Sequence, residues 1–449
     1  MLTLLAGLFV DARHRINKSD TGAFSTYWEA ARDLRDGRDP YGRHVGAYSY
    51  VYPPLYALLC RPLATMPLIQ AARIMLVINT AFVLAALLLT SRSVLERLSI
   101  STSALNVLGV AFGAALLAAV PLHNELRGME TNALLLLSFA LGLYWLDRRP
   151  GCAGLALAVA INIKYLPVLA IPYMLLRRRW AAAAATALWS AALALLPALF
   201  IGWTTNLRYL RMAVGGLGNL AGTGPAAGSA HVNQASVLSS ISITSTFARL
   251  AEGLGWPSRS GLALGAAAAA CCGLMAVVAY RRRRLPLLLW PAARAQTASP
   301  FQALVAIEWA GLVTGILAFS PNTQNRNLVL AVIPAVLAVV LLRFPRGGLS
   351  RRPVVIAVIT MLVALILPIA AMGHENTGIW QHSGMPCWCL LAAYAVLLVV
   401  GLKTCLVRVD GTPADLKAVG ISGPPSSAQP ILPPLPPFPL PGARLTAHH

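Results

Sequence analysis

Residues 68–90 read LIQAARIMLVINTAFVLAALLLT, with Arg73 as their one charge. A bilayer core is about 30 Å thick, so a spanning helix needs about 20 largely apolar residues. This run meets that need. Similar runs follow at 102–121, 132–146, 181–201, 261–280, 303–319, 328–343, 353–372 and 385–403. Across the 449 residues, 57% are hydrophobic and only 11% are charged, whereas a soluble domain carries about 25% charged residues. These features predict an all-α polytopic membrane protein that crosses the bilayer about 10–12 times.

Lys and Arg exceed Asp and Glu by 21, an excess that in a membrane protein marks cytoplasmic loops. No basic cluster interleaved with aromatics points to nucleic acid. The seven cysteines lie mostly in apolar runs, where Cys behaves as a small hydrophobe, and Cys387-Trp-Cys389 has no metal-ligand spacing. No metal or cofactor is implied.

The run 151–176 is interrupted by Asn162, Lys164 and Pro167, and it is flanked by Arg148-Arg149 and Arg177-Arg178-Arg179. Both basic clusters favour the cytoplasm, so the segment should enter and leave on one side as a re-entrant pair. The loops 91–101, 147–150, 177–180, 281–302 and 343–352 then fall inside. The loops 122–131, 202–260, 320–327 and 373–384 fall outside and carry few basic residues. Segment 11–67 also falls outside, with eight basic and six acidic residues that suggest a folded external piece. Residues 1–10 are too short to span and read as the tail of a first helix; a signal peptide would lack its basic start and cleavage site. The domain 1–420 is thus membrane-embedded, and 421–449, rich in proline, reads as a disordered cytoplasmic tail.

Polar residues within or beside spans are costly and mark candidate functional positions. Lys164 is the ionisable residue read inside a span, where it needs an anion or a wet cavity unless it snorkels to an interface. Four groups converge on the outer face. The external segment holds Asp20, Tyr27, Glu29, Asp39-Pro40-Tyr41 and Tyr50-Val51-Tyr52-Pro53-Pro54, with an amphipathic helix expected over 25–36. It is either an interfacial aromatic belt or a loop binding sugar or lipid headgroup. The second group runs from His123 through Glu125, Arg127 and Glu130 to Asn132. Lys164 with Tyr165 is the third. The fourth comprises Asn233-Gln234 and the loop Ser320-Pro321-Asn322-Thr323-Gln324-Asn325-Arg326. Amides and hydroxyls suit sugar hydroxyls, and arginine suits phosphate.

At these residues the chain resembles the polytopic glycosyltransferases that use polyprenyl-phosphate-linked sugars, and more narrowly the bacterial family 87 mannosyltransferase type with a GT-C fold. The resemblance lies in Tyr27-Trp28-Glu29-Ala30, Gly37-Arg38-Asp39-Pro40-Tyr41, Tyr50-Val51-Tyr52-Pro53-Pro54, Gly128-Met129-Glu130-Thr131-Asn132, Lys164-Tyr165-Leu166-Pro167, Asn233-Gln234-Ala235-Ser236 and Ser320-Pro321. It covers roughly residues 20–340. Two positions depart from the family pattern. The family acid four residues before the tyrosine is Ala23 here, with Asp20 three residues earlier. The histidine after Ser-Pro is also absent, and Arg326 and Asn327 occupy its neighbourhood.

The resemblance implies an inverting transfer of a hexose, mannose by preference, from a polyprenyl-phosphate donor to a lipid or glycan acceptor at the outer face of a bacterial plasma membrane. A carboxylate must take the acceptor's proton; Asp20 is the candidate, with Glu29 as alternative. Fixed cations must stabilise the leaving phosphate; Lys164 and Arg326 are the candidates, with Arg127 behind them. Tyr27, Tyr41, Tyr52, Glu130, Asn132, Asn233 and Gln234 are candidate sugar or acceptor contacts. A transporter or flippase of a lipid-linked sugar is the alternative, and it should show internal repeats and several ionisable residues at mid-membrane. An O-antigen ligase or polymerase is a further rival.

Overall fold

A computed structural model describes residues 2–406 except 42–43, 46–47, 222–229, 231, 284, 286–298, 346–349 and 367–373. The expected proline-rich tail lies outside the described residues. Helix α1 (Leu2–Asn17) leads into the external segment, which folds as α2 (Phe24–Arg35), a minimal hairpin of β1 (His44–Val45) with β2 (Tyr48–Ser49), and α3 (Pro54–Cys60). Helix α2 was expected over 25–36. Its periodic face, including Phe24, Tyr27, Ala30, Ala31 and Leu34, is buried, so it packs inward on the protein instead of floating on lipid. Trp28 Nε1 donates to the carbonyls of Leu63 (3.2 Å) and Met66 (3.1 Å), fastening α2 to the chain that enters the membrane.

The bundle continues with α4 (Leu68–Arg97), α5 (Ala104–Leu117), α6 (Ala119–Gly128) and α7 (Asn132–Trp145). The apolar run 102–121 reads as one span, yet the chain bends by 77° between α5 and α6. Pro121 explains the bend: it has no N–H to give, and its ring clashes with the carbonyl four residues earlier, at Leu117. Helix α6 is therefore turned across the bundle and carries Glu125 with it.

Next come α8 (Pro150–Ile161), a 3₁₀ turn at Leu166–Leu169, and α9 (Ala170–Leu176). Asn162 ends α8 by donating its amide to the carbonyls of Ala158 (3.0 Å) and Ser190 (3.1 Å). The two ends of this excursion meet where Arg179 Nη1 lies 2.6 Å from Asp147 Oδ1. Segment 148–179 is thus a hairpin, with Lys164 near its apex. Helices α10 (Trp180–Leu195), α11 (Ala198–Ile201), α12 (Trp203–Gly215) and α13 (Ile243–Gly253) follow. The chain then forms α14 (Ser258–Arg282), α15 (Ser299–Phe319), α16 (Val332–Arg343), α17 (Arg352–Leu365), α18 (His374–His382) and α19 (Met385–Leu406).

Among the described residues, six helices are long and apolar enough to cross a membrane, and the bent α5–α6 pair makes a seventh if counted as one span; shorter apolar helices accompany them. Spans at α15 and at 325–343 are 72% buried and form the centre, whereas α14 is 6% buried. Helix α14 exposes Leu274, Met275 and Val278, and α10 exposes Leu188 and Trp189. In water such faces would be a liability; against lipid tails they cost nothing.

A polar network closes the end of the bundle where the basic loops gather. Arg97 donates to Asp147 Oδ2 (2.8 Å), to the carbonyl of Leu143 (2.8 Å) and to Gln302. Glu308, inside α15, accepts from Arg177 Nε (3.0 Å), Tyr173 (3.1 Å) and Tyr280 (2.6 Å). Lys164 and Arg73 are therefore not alone among ionisable residues read within spans: Glu308 joins them, hidden in an apolar run and neutralised by Arg177. The arginines 177 and 179, read as loop charges, are likewise drawn into the bundle.

Candidate active site

The opposite end of α7 carries the second polar cluster. Helix α6 stops at Gly128, and Met129 adopts a left-handed conformation (φ 47°) with its N–H donated to the Glu125 carbonyl (2.8 Å). That conformation is costly for a side chain without a polar local partner. It reverses the chain so tightly that Glu125, Glu130 and Asn132 face one another.

Asn132 is fully buried and is the hub. Its Nδ2 donates to Glu125 Oε2 (3.0 Å) and Glu130 Oε2 (3.1 Å), and its Oδ1 accepts from Lys164 Nζ (2.5 Å). Glu125 Oε1 accepts the backbone N–H of Ala133 (2.9 Å), and Asn79 on α4 donates to the Glu130 carbonyl (3.2 Å). Glu130 also forms an ion pair with Arg326, whose Nε donates to Gln324 (3.2 Å).

The loop bearing Arg326 is held by hydroxyls. Ser240 accepts from Thr323 N (3.1 Å), Ser245 donates to the Pro321 carbonyl (2.9 Å), Thr244 donates to that of Phe319 (2.9 Å), and Ile241 N donates to that of Thr323 (2.7 Å). Small hydroxyl side chains satisfy the backbone that a sharp Ser-Pro turn leaves without helical partners.

A layer of tyrosines from the external segment adjoins the cluster. Tyr27, Tyr41, Tyr50 and Tyr56 are buried and Tyr52 is half-buried. Ring centroids are 5.5 Å apart for Tyr27–Tyr52, 5.1 Å for Tyr27–Tyr56, 5.5 Å for Tyr41–Tyr50 and 5.6 Å for Tyr41–Tyr209, mostly edge to face or tilted, the favourable arrangement for such rings. Tyr41 donates to the Tyr52 carbonyl (2.7 Å), and Tyr27 shares a hydrogen bond with Tyr52 (3.3 Å). Burial pushes the hydroxyls of Tyr27, Tyr41, Tyr50 and Tyr56 well above the usual tyrosine range, so they stay neutral donors. Tyr27 lies close enough to Glu130 to feel its charge, and Tyr41 close enough to Tyr165.

Asp20 sits in the turn after α1, with its side chain nearly half exposed. It accepts from Gly22 N (3.2 Å) and pairs with Arg15 (2.8 Å). That turn docks on the end of α6: Ala23 N donates to the Gly128 carbonyl (3.0 Å), and a Cβ on Gly22 (φ +55°) would lie 2.6 Å from the same oxygen. Asp20 thus lies at the end of the bundle that carries Asn132 and Lys164. Glu29 is half-buried on α2, Arg127 is exposed, and Asn233 and Gln234 are exposed beyond α12. Arg127, Asn233 and Gln234 make no hydrogen bond to Asn132 or Lys164 among the described residues. Glu125 and Gln324, named within the candidate polar groups but given no role, belong to the cluster, and so does Asn79, whose one signal was an amide in an apolar run. Among the described residues no group of three His, Cys, Asp or Glu is placed to hold a metal ion.

The cluster is recessed. Helix α7 has 14 residues, about 21 Å at 1.5 Å per residue, against a bilayer core of about 30 Å. One end of α7 meets the Arg97–Asp147 network, and Asn132 at the other end is fully buried beside the tyrosine layer.

The family model for glycosyltransferase family 87 matches residues 50–305. The chain belongs to glycosyltransferase family 87. The matched stretch includes Glu125, Glu130, Asn132 and Lys164. The family 87 chain is also similar to alpha-(1->3)-arabinofuranosyltransferases of two Mycobacterium tuberculosis strains, CDC 1551 / Oshkosh and ATCC 25618 / H37Rv. Each is 31% identical over 174 residues, or 37% of this chain and 38% of the relative. The similarity therefore spans less than half the length of these curated relatives. Family membership weighs against the transporter alternative.

Proposed function

We propose that this family 87 protein transfers a sugar from a polyprenyl-phosphate donor to a lipid or glycan acceptor at the outer face of a bacterial plasma membrane. The observation that carries this is Lys164: its ammonium, near the apex of a membrane hairpin, is hydrogen-bonded to the neutral oxygen of Asn132. A carboxylate partner would have cancelled its charge. An amide takes up one N–H of the ammonium and leaves the others to meet an anion brought by a lipid.

In the proposed reaction the acceptor hydroxyl oxygen attacks the anomeric carbon, the bond from that carbon to the phosphate oxygen breaks, and polyprenyl phosphate leaves with the electron pair. The sugar inverts. The hydroxyl proton passes to a carboxylate, for which Asp20 at the exposed turn is the candidate. The charge gathering on phosphate is met by Lys164 and, once it releases Glu130, by Arg326. Glu130, freed by that exchange, and the neutral tyrosine hydroxyls are suited to hold sugar hydroxyls. The lipid phosphate serves as the leaving group, so no nucleotide is needed.

Mannose is the donor sugar favoured by the family resemblance. Arabinofuranose is a second reading, favoured by the similarity to alpha-(1->3)-arabinofuranosyltransferases. The test is to supply the purified, reconstituted protein with polyprenyl-phosphate mannose or polyprenyl-phosphate arabinofuranose and a panel of glycolipid acceptors. Acceptor-dependent release of polyprenyl phosphate from one donor is expected. Transfer from a nucleotide sugar, with both lipid donors left intact, would contradict the proposal.

A further inference from the structure

Glu125 has no exposed surface, and burying a carboxylate is costly unless its oxygens are engaged. Here both are. Oε1 takes the Ala133 N–H (2.9 Å) and Oε2 takes Asn132 Nδ2 (3.0 Å). Asn132 in turn has both amide N–H groups engaged, with Glu125 and Glu130 (3.1 Å), while its oxygen accepts from Lys164 (2.5 Å).

A side-chain amide is nearly symmetric in shape, so what decides which end faces Lys164 is its hydrogen-bond partners. Two carboxylates on one side can accept only from the NH₂ group, which forces the oxygen toward the ammonium. The reverse orientation would set C=O against two carboxylates and NH₂ against a cation, three contacts of the wrong sign. Glu130 alone is a weaker guide, because its other oxygen is taken by Arg326 and a ligand that draws Arg326 away would let it move. Glu125 is fixed to the backbone of α7 and does not depend on the loop 320–327.

We propose that Glu125 is a positioning residue for sugar transfer: acting through Asn132, it fixes the direction in which Lys164 presents its ammonium to the donor phosphate. This rests on the reading of the site given above. It assigns to the buried acid no contact with substrate; its part is to hold the amide that holds the cation.

The test measures binding of polyprenyl phosphate, the shared lipid product, to the full chain in nanodiscs. Four proteins are compared: wild type, Glu125→Gln, Lys164→Gln and the double variant. Glu125→Gln keeps the side chain's volume but turns one acceptor into a donor, so Asn132 can flip. A hydrogen bond involving a charged group contributes enough that its loss should weaken binding about tenfold. The double variant should bind no more weakly than Lys164→Gln, since Glu125 acts only through Lys164. Wild-type binding by Glu125→Gln would overturn the inference, and so would losses that simply multiply in the double variant, which a merely structural role predicts. If Glu125→Gln does not fold, Asn132→Ala cuts the same link and must give the same non-multiplying loss. Failure of the wild type itself to bind polyprenyl phosphate would remove the donor proposal, and this inference with it; binding by wild type with no effect of Glu125→Gln removes only this inference.

Discussion

Lys164 Nζ lies 2.5 Å from Asn132 Oδ1, which joins the apex of a membrane hairpin to the first turn of α7. The contact pairs a cation with a dipole and not with a full negative charge. It holds the lysine through one of its three N–H groups and leaves the others for an anion.

Replacing Lys164 by Gln should cut sugar transfer by about a hundredfold or more, the usual cost of removing one fixed donor from a developing oxyanion. The inner network does not involve Lys164, so folding should persist. The checks are initial rates of polyprenyl phosphate release and the elution profile in detergent.

Asp20→Asn should abolish transfer while leaving expression and donor binding unchanged, because Asp20 is exposed and helps neither to build the buried cluster nor to reach the phosphate. Rates across an acceptor series measure this. Full activity in that variant would turn attention to Glu29 or Glu130.

Gly22→Ala should destabilise the external segment. The left-handed backbone alone costs about 1–2 kcal/mol for a residue with Cβ, and the added carbon would lie 2.6 Å from the Gly128 carbonyl oxygen, so the turn must lift from α6. Limited proteolysis between α1 and α2 should become faster.

Glu308→Ala should lower the melting temperature sharply. It strips the carboxylate from Arg177, which is buried with it, and breaking such a pair costs about 3–5 kcal/mol. This network lies at the other end of the bundle from the proposed site, so any residual folded fraction should still bind polyprenyl phosphate. A thermal melt in detergent reads the first effect and lipid binding the second.

Tyrosinate absorbance should rise in two stages. Burial holds Tyr27, Tyr41, Tyr50 and Tyr56 neutral in the folded state, whereas an unfolded tyrosine ionises near pH 10. Stability is thus complete below about pH 10 and falls as the pH rises beyond it, because only the unfolded chain can release those protons. These four should ionise together with unfolding, not before.

Much of the architecture was legible because lipid imposes strong rules on sequence. The all-helical membrane character, the amphipathic helix expected over 25–36 and found at Phe24–Arg35, and the hairpin broken at Asn162 follow from apolar periodicity and the placement of arginines. The bend before α6 was harder to see, since 107–120 is continuously apolar and Pro121 falls only at the end of the run. Glu308 was hidden for a related reason: a single acid in an apolar run has no local partner, and Arg177, Tyr173 and Tyr280 reach it only through tertiary packing. The same limit applied to the candidate site. Glu130, Asn132 and Lys164 could be picked out as polar residues in costly places, but the hub role of Asn132 and the backing by Glu125 depend on the left-handed turn at Met129, and nothing in a methionine announces that conformation.

The most direct measurement is an experimental structure of the protein in a lipid nanodisc with polyprenyl phosphate. The expected result is phosphate density within hydrogen-bond reach of Lys164 Nζ, with Arg326 turned from Glu130 toward it. A headgroup bound instead at the Arg97–Arg179 end, or at the Asn132 end but away from Lys164, would contradict the proposed role of this lysine.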